Sequence, residues 1–172
     1  GLVTGLLSDD LDALATLISN FPHLVERAKF IFVPGPRDPA PSHALPRPPL
    51  PDSLTENFRS KIPGSEFTTN PCRMRYFTQE LVLFREDLRG RMQKLVCVDV
   101  NWEEAESSFV HVAETVMQQG HLSPLPLGTQ PIYWDLDHAM RLYYPPHLLV
   151  IAEGDQFHQF WNKAGDCKCL TP

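Results

Sequence analysis

Several kinds of signal are scarce in this sequence, and each scarcity removes a class of function. Basic residues form no run: of 15 Lys and Arg in 172 residues, the densest group is Arg85, Arg89, Arg91 and Lys94, and Glu86 and Asp87 interrupt it. With 21 acidic residues and a net charge of -6, duplex binding by phosphate neutralisation loses its simplest support. The basic group reads as a solvated helix face, with a protein or nucleic-acid contact as the alternative. Long apolar runs are missing too. No stretch approaches the roughly 20 residues that span a bilayer, so no membrane partner is expected. Cysteine is sparse, at four, with no secretory leader ahead of them, which points to a reducing compartment, cytosol or nucleus. Cys72 and Cys97 fall in or near strand-like segments and read as buried thiols. Cys167-x-Cys169 offers two thiolates, but tetrahedral zinc needs two more good ligands. Cys72 and Cys97 are the only thiols left to supply them, and buried, idle thiols are the simpler reading.

Catalytic signatures are equally thin. The seven histidines include no H-x-H pair, and none directly follows a strong strand. Two-metal phosphoester chemistry needs several Asp, His and Asn ligands on loops at strand ends. Asp135, Asp137 and His138 are the one tight mixed cluster, and they read as a polar face beside aromatic residues. There is no Gly-x-Ser-x-Gly elbow for acyl transfer. Ser8 and Ser53 read as helix caps. A phosphate cradle needs successive exposed N–H groups, whereas Pro34-Gly35-Pro36-Arg37-Asp38-Pro39 has one glycine and three prolines, each lacking a donor. The residues themselves argue against an enzyme.

What is abundant is proline, 17 residues, lying largely between apolar runs and so punctuating a folded chain. Gly1 to Leu7 reads as the exit of a strand. Ser8 then caps a helix whose apolar face is Leu11, Leu14, Leu17, Ile18 and Phe21. Pro22 ends or kinks it, and His23 to Ala28 adds a turn. Lys29 to Val33 is an apolar strand of the kind covered on both faces. Pro46-Arg47-Pro48-Pro49 suits polyproline II geometry. Asp52 or Ser53 caps a short helix that Pro63-Gly64 stops. Cys72–Phe77 and Glu80–Phe84 read as a hairpin turning at Thr78-Gln79. A short helix follows over Asp87 to Lys94, with Gly90 weakening it, then a brief apolar run over Leu95 to Val100. Phe109, Val112, Ala113, Val116 and Met117 form a helical face closed by Gly120. Tyr133 to Tyr144 is either helical or extended. Leu148 to Ala152 is a second buried strand, and the tail from Glu153 has no clear period. This order predicts a single layered α/β domain. The opening at Gly1 and the ending at Thr171-Pro172 suggest a fragment.

Several long motifs in series carry a resemblance. They are Phe30-Ile31-Phe32-Val33-Pro34-Gly35-Pro36-Arg37-Asp38-Pro39 with Leu45-Pro46-Arg47-Pro48-Pro49-Leu50, Phe67-Thr68-Thr69-Asn70-Pro71-Cys72-Arg73, Thr78-Gln79-Glu80, Phe84-Arg85-Glu86-Asp87-Leu88, Gly120-His121-Leu122-Ser123-Pro124-Leu125-Pro126-Leu127, and Pro146-His147-Leu148-Leu149-Val150-Ile151-Ala152. In this order the chain resembles the B subunits of eukaryotic DNA polymerase epsilon, and it fits those of polymerases alpha and delta less well. The resemblance implies a calcineurin-like metallophosphoesterase fold, α/β with two β-sheets layered between helices, catalytically inactive. Residues 1–172 would be the C-terminal portion of that domain, and the family's oligonucleotide-binding-like domain would lie outside the chain.

In active relatives of that fold one strand-end loop reads Gly-Asn-His-Asp or Gly-Asn-His-Glu, with Asn a metal ligand and His assisting the leaving group. Here the matching stretch is Gly35, Pro36, Arg37 and Asp38. Proline has no side-chain donor for a metal, and Arg is a fixed cation with no free lone pair. The strand that should end in a histidine ligand runs through Leu83-Phe84 into Arg85-Glu86-Asp87. The closing Gly-His-x-His is replaced around Ala152-Glu153-Gly154-Asp155. The expectation is a degenerate metal site with no catalytic residue, no metal and no cofactor. The resemblance further implies a nuclear scaffold subunit in DNA replication. It would bind the zinc-bearing C-terminal region of the polymerase epsilon catalytic subunit and join other replisome proteins, including the replicative helicase assembly, at the leading strand. Direct DNA contact is the alternative, and residual metallophosphoesterase activity the remotest one.

Overall fold

The computed structural model describes residues 2–39, 42–95, 106–152, 157–162 and 165–172. The readings for Cys97, for the rest of the run to Val100 and for Glu153-Gly154-Asp155 lie outside them. The chain is α/β, with helices flanking two sheets, as its sequence predicts. One sheet is a parallel pair, β1 (Phe30–Phe32) and β2 (Ser65–Phe67). The other has five strands in the order β3-β4-β5-β7-β6. These are β3 (Cys72–Tyr76), β4 (Gln79–Arg85), β5 (Leu148–Ala152), β6 (His158–Trp161) and β7 (Lys168–Thr171).

Helix α1 runs over Leu2–Ser19, so the strand exit expected before Leu7 is replaced by helix and Ser8 is an interior residue, not a cap. Gly5 costs this helix about 1 kcal/mol relative to Ala. The buried stripe is Leu11, Ala15 and Ile18, with Leu7 partly covered. Leu14, Leu17 and Phe21 are exposed. The small Ala15 lets α1 approach α3 (Asp52–Lys61), and that spacing moves the contact stripe away from the larger leucines. Pro22 ends α1 by opening α2 (Pro22–Arg27), where its missing N–H costs nothing. The N-cap of α3 is Pro51 and no side chain caps it, so neither Asp52 nor Ser53 takes that role. Phe32, Phe58 and Phe67 meet edge-on and stacked at 4.7–5.8 Å to close this smaller core. β1 is less covered than its apolar sequence suggests, because Ile31 at its centre is exposed.

The larger core lies under one face of the five-stranded sheet. Val82, Phe84, Leu149, Ile151 and Cys169 alternate inward and meet Phe109, Val112, Ala113 and Val116 of α5 (Glu106–Gln119). Gly120 ends α5 with φ +62, a left-handed conformation costly for a residue with Cβ. The opposite face carries Leu81, Leu83, Leu148, Val150 and Leu170, half-buried. Apolar residues on both faces make β5 the layered strand its sequence announces.

Four further segments depart from their sequence reading or add to it. The hairpin register pairs Tyr76 with Gln79, so Phe77 and Thr78 form the turn, with Phe77 at φ 52. Gly90 serves the cap of α4 (Leu88–Lys94) and does not simply weaken it. Its N–H donates to Asp87 Oδ1 at 2.8 Å, and a Cβ at Gly90 would lie 2.5 Å from Asp87 Oδ2. Residues 46–49 are tied to the rest of the fold at Arg47. The Leu45–Pro46 bond is cis, and Arg47 exchanges backbone hydrogen bonds with Asn70 at 2.8 and 3.0 Å. The tail forms strands β6 and β7, and β7 pairs parallel to β5.

Phe84 is fully buried at the centre of the larger core. Phe84→Ala is expected to cost about 3–5 kcal/mol, read as a lower urea midpoint at an unchanged denaturant slope.

Candidate functional site

The loop after β1 and the end of β4 meet through one guanidinium. Asp38 folds back over its loop, and its Oδ2 accepts from the Gly35 N–H at 2.7 Å and from Arg85 Nη1 at 3.1 Å. Arg85 Nη1 also donates to the Val33 carbonyl at 3.2 Å. Gly35 is buried and lies flat against this group: a Cβ there would stand 2.6 Å from Arg85 Cζ. A side chain there would have to push the Arg85 guanidinium off the loop. Pro36 and Arg37 form the turn of the loop, and the Arg37 side chain is exposed. Of the four residues singled out in this loop, Gly35 and Asp38 touch Arg85, while Pro36 and Arg37 shape the turn.

Arg85 is held from behind. Asn70 is fully buried; its Nδ2 donates to the Arg85 carbonyl at 2.7 Å and its Oδ1 accepts from the Arg85 N–H at 3.0 Å. The next residue begins a second charged cluster. Glu86 is buried, and its carboxylate meets Arg47 Nη2 at 2.6 Å and Arg91 Nη2 at 2.8 Å. Arg47 is 1% exposed. Arg91 also donates to Gln130 Oε1, and Gln130 Nε2 donates to the His43 carbonyl at 3.1 Å. The basic group read as a solvated helix face is thus split. Arg91 turns inward onto the buried Glu86, where an unpaired carboxylate would be costly, and Arg85 turns back onto the part-exposed Asp38. Sequence reasoning misses the roles of Arg47, Asn70 and Gln130. An Arg among prolines and an Asn before a proline are weak signals without the fold.

This donor set does not fit a dinuclear metal centre. Asp38 brings one carboxylate, already bonded to an N–H and a guanidinium, and that guanidinium fills the space beside it. Among the described residues, no three of His, Cys, Asp and Glu converge as a metal site. Asp137 belongs to a different arrangement. It meets His121 Nε2 at 3.2 Å and Arg141 Nη2 at 2.8 Å, while His121 Nδ1 accepts from the Ser123 N–H at 3.1 Å. These bonds lock the segment after α5 onto the 3-10 helix Trp134–Met140. The Arg141 hydrogen bond, opposed in part by desolvation and aided by His121, lowers the Asp137 pKa from its ordinary value. Cys167 and Cys169 are buried free thiols 4.0 Å apart. Their mutual hydrogen bond and burial push the Cys169 thiol far up.

Comparison with known proteins decides the family. The family model for the B subunit of DNA polymerase alpha/epsilon matches residues 4–160. The chain belongs to that family. Within it, the epsilon members match this chain: the B subunit of DNA polymerase epsilon from Arabidopsis thaliana is 44% identical over 166 residues, covering 96% of the chain and 31% of the relative. DNA polymerase epsilon subunit 2 of Homo sapiens is 44% identical over 170 residues, with coverages of 96% and 31%. The corresponding polymerase epsilon protein of Saccharomyces cerevisiae is 31% identical, with coverages of 95% and 29%. This B-subunit chain therefore spans about a third of the length of its curated relatives.

The buried charges and the Asp137 pairing each lead to a measurable outcome. Arg47→Ala leaves Glu86 a buried carboxylate with only Arg91 beside it, and is expected to cost about 3–5 kcal/mol by chemical denaturation. Asp137 contributes stability above the unfolded carboxyl pKa and loses it as pH falls through its lower folded value. In thermal melts the gap between wild type and Asp137→Asn should therefore be open at neutral pH and close on acidification.

Proposed function

We propose that this chain is part of a non-catalytic accessory subunit of nuclear DNA polymerase epsilon. In this reading, residues 1–172 are the C-terminal portion of a phosphoesterase-like domain whose metal loop, Gly35 to Asp38, has decayed. The observation that carries it is the Arg85 guanidinium against Gly35 and Asp38. Phosphoester hydrolysis on two metals needs electron-pair donors around the ions. Here a resident cation takes the one carboxylate of the loop, and Arg37 and Pro36 supply no lone pair. What the network supplies instead is a fixed shape. Strand ends of both sheets are joined by ionic and amide contacts, and proline restricts the loop.

A rigid surface without chemistry suits a scaffold. The partner would be the C-terminal region of the polymerase epsilon catalytic subunit, in an assembly that includes other replisome proteins and the replicative helicase. Relatives named as polymerase epsilon subunits support this, as do the many exposed aromatic residues, Trp134, Tyr143, Tyr144 and Trp161 among them. The net charge of -6 weighs against a primary role in DNA binding.

The full-length protein is expected to co-purify with the catalytic subunit's C-terminal region and to leave a generic phosphodiester uncleaved in manganese. Manganese-dependent cleavage that disappears in Asp38→Ala contradicts the non-catalytic reading. A folded protein that captures no catalytic-subunit fragment contradicts the scaffold.

A further inference from the structure

Two polar side chains on the hairpin of β6 and β7 face the core with bonding capacity unused. His158 and Thr171 are direct cross-strand partners, so their side chains leave the same face of the sheet, about 5 Å apart at Cβ. That face is the inner one, because Cys169 and Thr171 are the buried members of β7. Thr171 is 4% exposed. Among the described residues, neither Thr171 Oγ1 nor the buried His158 Nε2 finds a hydrogen-bond partner. The imidazole stacks on Phe109 of α5, with ring centroids 5.8 Å apart. Glu86 supplies a third such group. Its Oε1 touches Arg91 at 2.8 Å, but without the alignment of a hydrogen bond.

Glu86, His158 and Thr171 all line one cavity of about 20 Å³, with Phe109, Val112 and Ile151 among its apolar walls. Size and chemistry together select an occupant. A water site needs roughly 10–15 Å³ and two to four polar partners, so this cavity holds one water and nothing larger. Water both donates and accepts. It therefore serves either tautomer of His158 and either rotation of the Thr171 hydroxyl. A metal ion fits less well, because the Glu86 carboxylate is already neutralised by Arg47 and Arg91. An apolar occupant would leave the buried polar atoms unpaired, which native interiors avoid.

We propose that this cavity binds a single structural water, held by His158 Nε2 and Thr171 Oγ1 and turned toward the Glu86 carboxylate. The water continues the Arg47–Glu86–Arg91 cluster out to the hairpin. It ties the edge strand β6 to the end of β4, with which β6 shares no pairing.

A high-resolution crystal structure of the full-length protein, with thermal melts of two variants, tests the site. One solvent peak is expected within about 2.7–3.2 Å of both His158 Nε2 and Thr171 Oγ1. Thr171→Val keeps the side-chain shape and removes the hydroxyl. It leaves the water short of a partner, so the peak should weaken and the Tm should fall by about 2 °C. In a His158→Phe background, where the ring edge takes the water's space, Thr171→Val should no longer lower the Tm, and the two shifts should fail to add. A direct His158–Thr171 hydrogen bond, or no density between the two side chains, overturns the proposal. So does a Thr171→Val protein that melts at or above the wild-type temperature, because loss of a hydroxyl that bonds nothing is neutral or stabilising. A strong anomalous peak in the cavity overturns it in favour of a bound cation.

Discussion

The Arg85–Asp38 contact joins two parts of the chain that share no strand pairing. Asp38 lies on the loop of the small sheet, and Arg85 ends β4 of the large one. The 3.1 Å ion pair, the Gly35 N–H and the Val33 carbonyl bring them into one polar cluster. Asn70 then fixes the Arg85 backbone at both its donor and its acceptor. Because Asn70 also pairs with Arg47, and Arg47 with Glu86, the cluster continues inward without a break. Arg85 and Asp38 are part-exposed, so their charge attraction alone is modest. The weight lies in the convergence of donors on buried acceptors, where removal of one partner leaves another unsatisfied.

Much of the fold is legible because period and punctuation agree. Phe109 to Met117 form a helical face, and Gly120 ends it with the positive φ that such a stop demands. Leu148 to Ala152 read as a strand covered on both faces and are the centre of the sheet. Sequence and structure part where tertiary contact outweighs local preference. Ser8 has the chemistry of a cap, but Leu7 packs within the helix that contains them both. Lys168 to Thr171 alternate buried and half-buried residues in the native sheet, but a cysteine and a threonine as the buried pair carry too little hydrophobic contrast to announce it. Arg47 stands among prolines, a setting that gives no local sign that it is drawn into the core by a carboxylate 39 positions later in the chain.

The candidate site is half legible. The loop Gly35 to Asp38 stands out through its proline content and its resemblance to a metal-binding loop with the ligands exchanged. Local pattern cannot reveal that Arg85 turns back onto Asp38, because 47 residues separate them and a basic group broken by acidic residues ordinarily faces solvent. Family membership rests on the match over residues 4–160. Under the scaffold reading proposed above, side chains at the loop Gly35 to Asp38 neutralise one another in place of ions.

The most direct measurement is a crystal structure of the full-length protein grown in manganese, with anomalous scattering inspected beside Asp38. The Arg85 guanidinium is expected within hydrogen-bonding distance of Asp38, with no anomalous peak there. Two manganese peaks bridged by Asp38, with Arg85 swung away into solvent, would contradict a resident cation at this loop.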